Sequence, residues 1–183
     1  MNDENEILDI VNKKGEVIGK ATRLECHGNP KLLHQVVHIH VFNKKGQLYL
    51  QKRAGNKTIQ PLKWDTSVGG HIDSGESIQT AAYRELQEEL GIAKTRIHPL
   101  FQYIFTNEIE SEFVHAFYCL YNGRIQINKA EIDKGSFWEI ARIEKNLKNN
   151  IFTPNFIQEY SLVRQHLHKI NIVFNLIGMQ QKI

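Results

Sequence analysis

The sequence predicts one α+β domain in which helices pack on a largely β core. Three observations carry this. Short segments of β-branched, aromatic and other apolar residues bounded by turn signals recur over residues 7–52 and again over 99–121. One amphipathic segment, Ile78–Leu90, lies between those two groups. Helix-start chemistry returns near the C-terminus, where Thr153 precedes Pro154. The 183 residues suit a single domain, 1–183, with a sizeable core. Residues 1–30 read as an N-terminal extension and 150–183 as a C-terminal helix and tail.

Residues 7–11 and 16–21 read as two strands around Asn12-Lys13-Lys14-Gly15, a hairpin-type turn. A polar stretch, 22–31, contains His27. Residues 34–43 form a strand, with Val36, Val37, Ile39 and Val41, and Asn43-Lys44-Lys45-Gly46 turns it into a second, 47–52. A basic loop follows, 53–61. Residues 64–68 lead as a strand into a loop of turn chemistry, 70–75. The next helix has an apolar stripe of Ile78, Ala81, Ala82, Leu86 and Leu90, with Ser77 as N-cap and Gly91 as C-terminal stop. Strands are expected at 99–106 and 113–121, with Asn122-Gly123 as a tight turn. A short strand at 136–140 precedes a short helix at 141–147. The last helix runs from Thr153-Pro154 to about His168. The tail, 170–183, begins apolar, and Ile172, Val173 and Phe174 form either a docked strand or a partner contact, which offers a surface for a homodimer.

On the Ile78–Leu90 helix, Glu85, Glu88 and Glu89 stand at i, i+3 and i+4 and share one face. Carboxylates held that close repel unless a cation sits among them. Hard divalent ions such as Mg²⁺ take oxygen ligands, commonly a few carboxylates together with substrate phosphates. A solvated acidic face is the usual reason for such a run, but the surroundings argue otherwise. Residues 70–92 satisfy G-x5-E-x7-R-E-U-x-E-E-x-G-U, with U a bulky aliphatic, at every specified position: Gly70, Glu76, Arg84, Glu85, Leu86, Glu88, Glu89, Gly91 and Ile92. Chance would produce this in such a chain with a probability on the order of 10⁻⁷. The chain therefore resembles the Nudix hydrolases. That resemblance implies an α/β/α sandwich with a mixed sheet and the box as loop–helix–loop. It assigns Glu85, Glu88 and Glu89 to a Mg²⁺ or Mn²⁺ ion, with a backbone carbonyl from the Gly70 region. It also favours Arg84 pairing with a box glutamate. Glu76 is read as supporting the loop, and Gly70 and Gly91 as backbone requirements.

A second constellation lies outside the box. Glu110 and Glu112 flank Ser111, so alternation puts both on one strand face. His27, His34 and His71 complete a candidate His₃Glu₂ set suited to Mn²⁺, Zn²⁺ or Mg²⁺. These five positions resemble type I isopentenyl diphosphate isomerase, over roughly residues 5–145. That family has a cysteine immediately before its Gly-His pair, where this chain has Gly69 ahead of Gly70-His71. Glycine has no proton to give, and Cys26 and Cys119 lie elsewhere. The reading is therefore an isomerase-like hydrolase. Glu85 is a candidate general base, and so are Glu110 and Glu112. Catalytic work is expected of Glu85, Glu89, Arg84 and Glu110.

Lys52, Arg53 and Lys57 are either solvated cations or phosphate ligands of the substrate, with Lys63 nearby. Trp64 is read as core. His38 and His40 share the face of His34 and either line the pocket or serve structure. The net charge of +3 makes no case for a nucleic-acid or membrane binder. The acidic, polar start reads as no secretory or transit segment, no apolar run approaches a membrane span, and two cysteines make no disulfide framework. A reducing cytoplasm is the expected location. The expected function is metal-dependent hydrolysis of a diphosphate bond in a nucleoside diphosphate derivative or related organic diphosphate, a small-molecule substrate. The alternatives are isopentenyl diphosphate isomerisation and a non-catalytic, ligand-sensing module.

Overall fold

The computed structural model describes residues 4–57 and 59–180, with side chains to residue 170. The elements are β1 (Ile7–Val11), β2 (Val17–Thr22), α1 (Arg23–Cys26), β3 (Leu33–Phe42), β4 (Leu48–Arg53), β5 (Trp64–Asp65), β6 (Val68–His71), α2 (Ile78–Leu90), β7 (Ile97–Thr106), β8 (Ser111–Leu120), β9 (Ile132–Trp138), α3 (Ile140–Asn146) and α4 (Pro154–Gln180).

β3 is the hub of a mixed sheet. It pairs in parallel with β8 along its whole length and antiparallel with β6 from Val36 to Ile39. β1 meets it at Ile10↔His34 and β4 at Phe42↔Leu48. Beyond that contact β4 leaves β3 and pairs with β9 and β5 instead. The sheet therefore splays, and Ser67 spans the split. Its hydroxyl accepts from the Val41 N–H at 2.9 Å and donates to the Tyr49 carbonyl. This hydroxyl is buried, so the gap between the half-sheets carries no orphaned backbone groups at these two positions.

The period of two along β3 divides the core into two layers. Val37, Ile39 and Val41 pack with Val68, Ala81, Ala82, Leu86 and Leu90 against α2. Phe42 packs with Leu48, Tyr118, Trp138, Phe152, Phe156 and Tyr160 under α3 and α4. The result is the expected α/β/α sandwich. Both Asn-Lys-Lys-Gly turns form as expected. Asn12 and Asn43 each accept two backbone N–H bonds through Oδ1, and Gly15 and Gly46 take φ of +80° and +74°. Ser77 caps α2 through the Thr80 N–H, and Gly91 ends it in the left-handed region at φ 67°.

The structure corrects four expectations about elements. The polar stretch contains α1, nucleated by a capping box in which Thr22 and Glu25 satisfy each other's backbone N–H groups. The expected strand at 64–68 breaks into β5 and β6, because Thr66 and Ser67 turn their hydroxyls inward to His40 and across the split. β9 begins at Ile132 rather than 136, and its pairing with β4 from Arg53 onward imposes strand on a segment with no alternating pattern. The tail is not a strand, since α4 continues to Gln180. The side chains of Ile172, Val173 and Phe174, with their expected contact, lie outside the described residues. Among the described residues no helix is long and apolar enough to cross a membrane.

Candidate active site

β6 is a four-residue strand, Val68-Gly69-Gly70-His71, that pairs only with β3 among the described strands. No described strand pairs with its other edge. Alternation sends Gly70 toward α2 and Gly69 and His71 toward α4. Two glycines leave this stretch without side chains, so groups from both layers close on bare backbone.

On the α2 side stands Glu85. A Cβ on Gly70 would lie 2.0 Å from the Glu85 Cδ. Residue 70 is thus glycine because a carboxylate rests on its Cα, not because of its torsion angles. Arg84 holds this arrangement together. It donates to both oxygens of Glu76 at 3.0 and 2.8 Å, to Glu85 Oε1 at 2.6 Å and to the His71 carbonyl at 3.0 Å. One guanidinium fork therefore ties the loop, the helix and β6 together. Glu76 supports the loop, as expected, and also accepts from the Asp73 N–H. Burial pushes the Glu85 carboxyl up to about 7 despite Arg84 beside it. Glu89 is buried, accepts from Gln51 Nε2 at 2.9 Å, and is pushed well above the usual range by burial and then by Glu85. Glu88 is exposed and lies 3.5 Å from Arg84. The three glutamates share a face, but Glu85 and Glu88 turn to Arg84 and Glu89 to Gln51, and the three do not close to within 4.8 Å of one another.

On the α4 side the structure brings together all five residues of the second constellation. His27, His34 and His71 form one group and His34, Glu110 and Glu112 another, each with ligand atoms within 4.8 Å. His27 arrives because it caps α1, the turn absent from the sequence reading. Its Nε2 is 3.0 Å from His71 Nε2 and 3.5 Å from Glu110. Burial lowers His27 and His34 to about 4 and holds His71 well below its usual value, so all three are neutral imidazoles with lone pairs to offer. Burial raises Glu110, and burial with Glu110 raises Glu112 to about 7. His34 Nε2 is buried with no hydrogen-bond partner. Such an atom costs about 1–3 kcal/mol unless something binds it. Clustered neutral imidazoles, two carboxylates and an orphaned nitrogen fit a divalent cation.

Three residues outside the expected set frame this layer. Asn155 on α4 donates to Glu112 at 2.9 Å and accepts from the Tyr103 hydroxyl at 2.8 Å. Glu159, fully buried, contacts His38 Nδ1 with both oxygens at 3.0 Å and His40 Nε2 at 3.4 Å. The signal existed, because Asn155 and Glu159 stand at i and i+4 on a helix whose other inward residues are apolar. Burial opposes charge on both His38 and Glu159, but their mutual attraction prevails. His38 is lifted to about 9 and Glu159 lowered to about 2.

The expected phosphate-binding cations already have partners. Arg53 pairs with Asp65 at 3.3 Å and donates to the Ile59 carbonyl. Lys57 pairs with Glu131, and Lys52 lies 3.7 Å from Asp133. Trp64 packs edge-on against Trp138, in the core, as expected.

The family model of the NUDIX domain matches residues 32–160. An uncharacterized Nudix hydrolase of Yersinia pestis is 31% identical over 86% of this chain and 85% of its own length. Isopentenyl-diphosphate Delta-isomerase 2 of Photorhabdus laumondii is 32% identical over 79% of this chain and 84% of its own. The crystal structure of DR0079 from Deinococcus radiodurans superposes with a TM-score of 0.75 at 24% identity, covering 87% of this chain and 98% of that one.

Proposed function

The chain belongs to the Nudix family of hydrolases, whose members generally need divalent cations, and from that premise we propose that it cleaves a diphosphate bond in a nucleoside diphosphate derivative or related organic diphosphate, with Mg²⁺ or Mn²⁺ as the ion. The observation that carries this reading is the Glu85 carboxylate seated on Gly70 in a strand that no described strand pairs on one edge, with Glu88 and Glu89 on the same helix face.

Glu85, Glu88 and Glu89, with a backbone carbonyl from the Gly70 region, would hold the ion. When bound, such an ion neutralises phosphate charge and lowers the pKa of a coordinated water. The rest falls to the chain. Arg84 keeps Glu85 and β6 in register through its fork. The attacking water loses its proton to a carboxylate, and Glu85, Glu110 and Glu112 are the candidates. The water oxygen bonds to phosphorus, and the bridging oxygen leaves with its electron pair. His27, His34, His71, Glu110 and Glu112 would hold a second ion, Mn²⁺, Zn²⁺ or Mg²⁺. Lys52, Arg53 and Lys57 would meet substrate phosphate through the N–H donors that their carboxylate partners leave over.

The second constellation favours one rival, isopentenyl diphosphate isomerisation. Gly69 opposes it, because no thiol stands at that position. Turnover of a diphosphate panel with Mg²⁺ or Mn²⁺, with products identified, tests the reading. Hydrolysis that disappears in Glu89→Gln is the expected result. No turnover on any panel member, or formation of dimethylallyl diphosphate from isopentenyl diphosphate, would overturn it.

A further inference from the structure

His38 sits opposite Gly69 in the β3–β6 ladder. A Cβ on Gly69 would lie 3.2 Å from the His38 Cδ2 and 3.3 Å from its Nε2. The imidazole therefore occupies the space into which a side chain at 69 would project. Its other nitrogen, Nδ1, is held by both oxygens of Glu159, so the ring cannot turn away. Among the described residues none pairs with Nε2. The charged and titratable groups around the ring are Glu159 from α4, His40 on β3, Glu112 on β8 and Asp65 on β5. His38 is 7% exposed and Glu159 is fully buried.

A buried imidazole–carboxylate pair is a weak stabiliser compared with apolar side chains of the same volume, because desolvating two charges costs nearly what their attraction returns. Packing alone gives little reason for it. The same arrangement is well suited to holding one N–H at a fixed point beside bare backbone. Gly69 and His71 lie two residues apart, about 7 Å along the strand. A ligand on the edge of β6 away from β3 can thus touch the Glu85 side, the histidine cluster and His38 together.

We propose that His38, oriented by Glu159, contacts the substrate directly, its Nε2–H donating a hydrogen bond to an anionic diphosphate oxygen across Gly69. Glu159 is then a positioning residue. This inference rests on the diphosphate reading of the site. It involves no proton transfer: His38 acts as the imidazolium, donating Nδ1–H to Glu159 and Nε2–H to the ligand, and keeps both protons.

The test uses the whole chain labelled uniformly with ¹⁵N, Mg²⁺ and methylenediphosphonate, a diphosphate that cannot be hydrolysed. The His38 ring signals are those missing from His38→Gln, or, if that variant does not fold, those that change in Glu159→Gln. A shift of the His38 Nε2 resonance on adding the probe, together with backbone shifts at Gly70 and Glu85, is expected. Shifts at Gly70 and Glu85 with His38 unmoved would overturn the proposal and leave the diphosphate site standing. No shift anywhere would overturn both. In kinetics on the best panel substrate, His38→Gln should lower kcat/KM about 100-fold, and Glu159→Gln less, with unchanged thermal midpoints not required. Wild-type kcat/KM in folded His38→Gln would count as refutation.

Discussion

Replacing Gly70 with alanine tests the geometry of the α2 side with a single methyl group. The new Cβ would lie 2.0 Å from Glu85 Cδ, whereas ordinary contact begins at 3.4 Å. The carboxylate must therefore retreat by at least the difference, 1.4 Å. A displacement of about 1 Å in a reacting group can cost 10²-fold in rate, so kcat should fall about 100-fold or more. Stability should fall only by what the displaced carboxylate gives up. Gly70 is not among the residues with positive φ, so alanine adds no torsional strain. The main loss is the 2.6 Å bond from Arg84 to Glu85, about 1–3 kcal/mol for a bond between charged groups. Gly91→Ala is the matched control. There φ is +67° and a Cβ would also press on Gln126 at 3.2 Å. This variant should lose about 1 kcal/mol of stability while its folded fraction turns over normally. Steady-state turnover of the best diphosphate with Mg²⁺, alongside thermal melts, reads both. A Gly70→Ala enzyme with kcat within about twofold of wild type would refute the claim that the seat of Glu85 matters.

The His38–Glu159 pair predicts a bell-shaped stability profile. Glu159 drops from a usual 4.5 to about 2, so its contribution is present above pH 4.5 and fades as pH falls toward 2. His38 rises from 6.5 to about 9, so its contribution is present below pH 6.5 and fades as pH rises through 9. Both describe one interaction, on the order of 3 kcal/mol. Urea midpoints should peak between pH 4.5 and 6.5, and Glu159→Gln should flatten the peak; an unaltered profile in that variant would contradict the assignment. Gly69→Cys should not create an isomerase, because the new side chain meets the His38 ring at 3.2–3.3 Å; dimethylallyl diphosphate among its products would argue otherwise. His34→Gln should lower bound Mn²⁺ or Zn²⁺, measured by elemental analysis after dialysis, since it removes the orphaned Nε2. Equal metal content in the two proteins would speak against a second ion there. Chelation with EDTA should abolish turnover, and added Mg²⁺ or Mn²⁺ should restore it.

The residues and spacing of the box alone determined the loop–helix–loop, its caps and the shared face of Glu85, Glu88 and Glu89. These are local properties: a period of 3.6, a serine cap and a glycine stop act within one or two turns. The strands of β3 and β8 were legible for the same reason. Tertiary structure decided what those elements close upon. Gly70 read as a torsional requirement until the fold put a carboxylate on its Cα. The histidine and glutamate set spans residues 27 to 112, and the pairing of β3 with both β6 and β8, together with the small helix before His27, gathers it. Glu159 reaches His38 from 121 residues away. Sequence periodicity says which way a side chain points along its own element. It cannot say which element lies opposite, because that depends on loops and on the splaying of the sheet at Ser67.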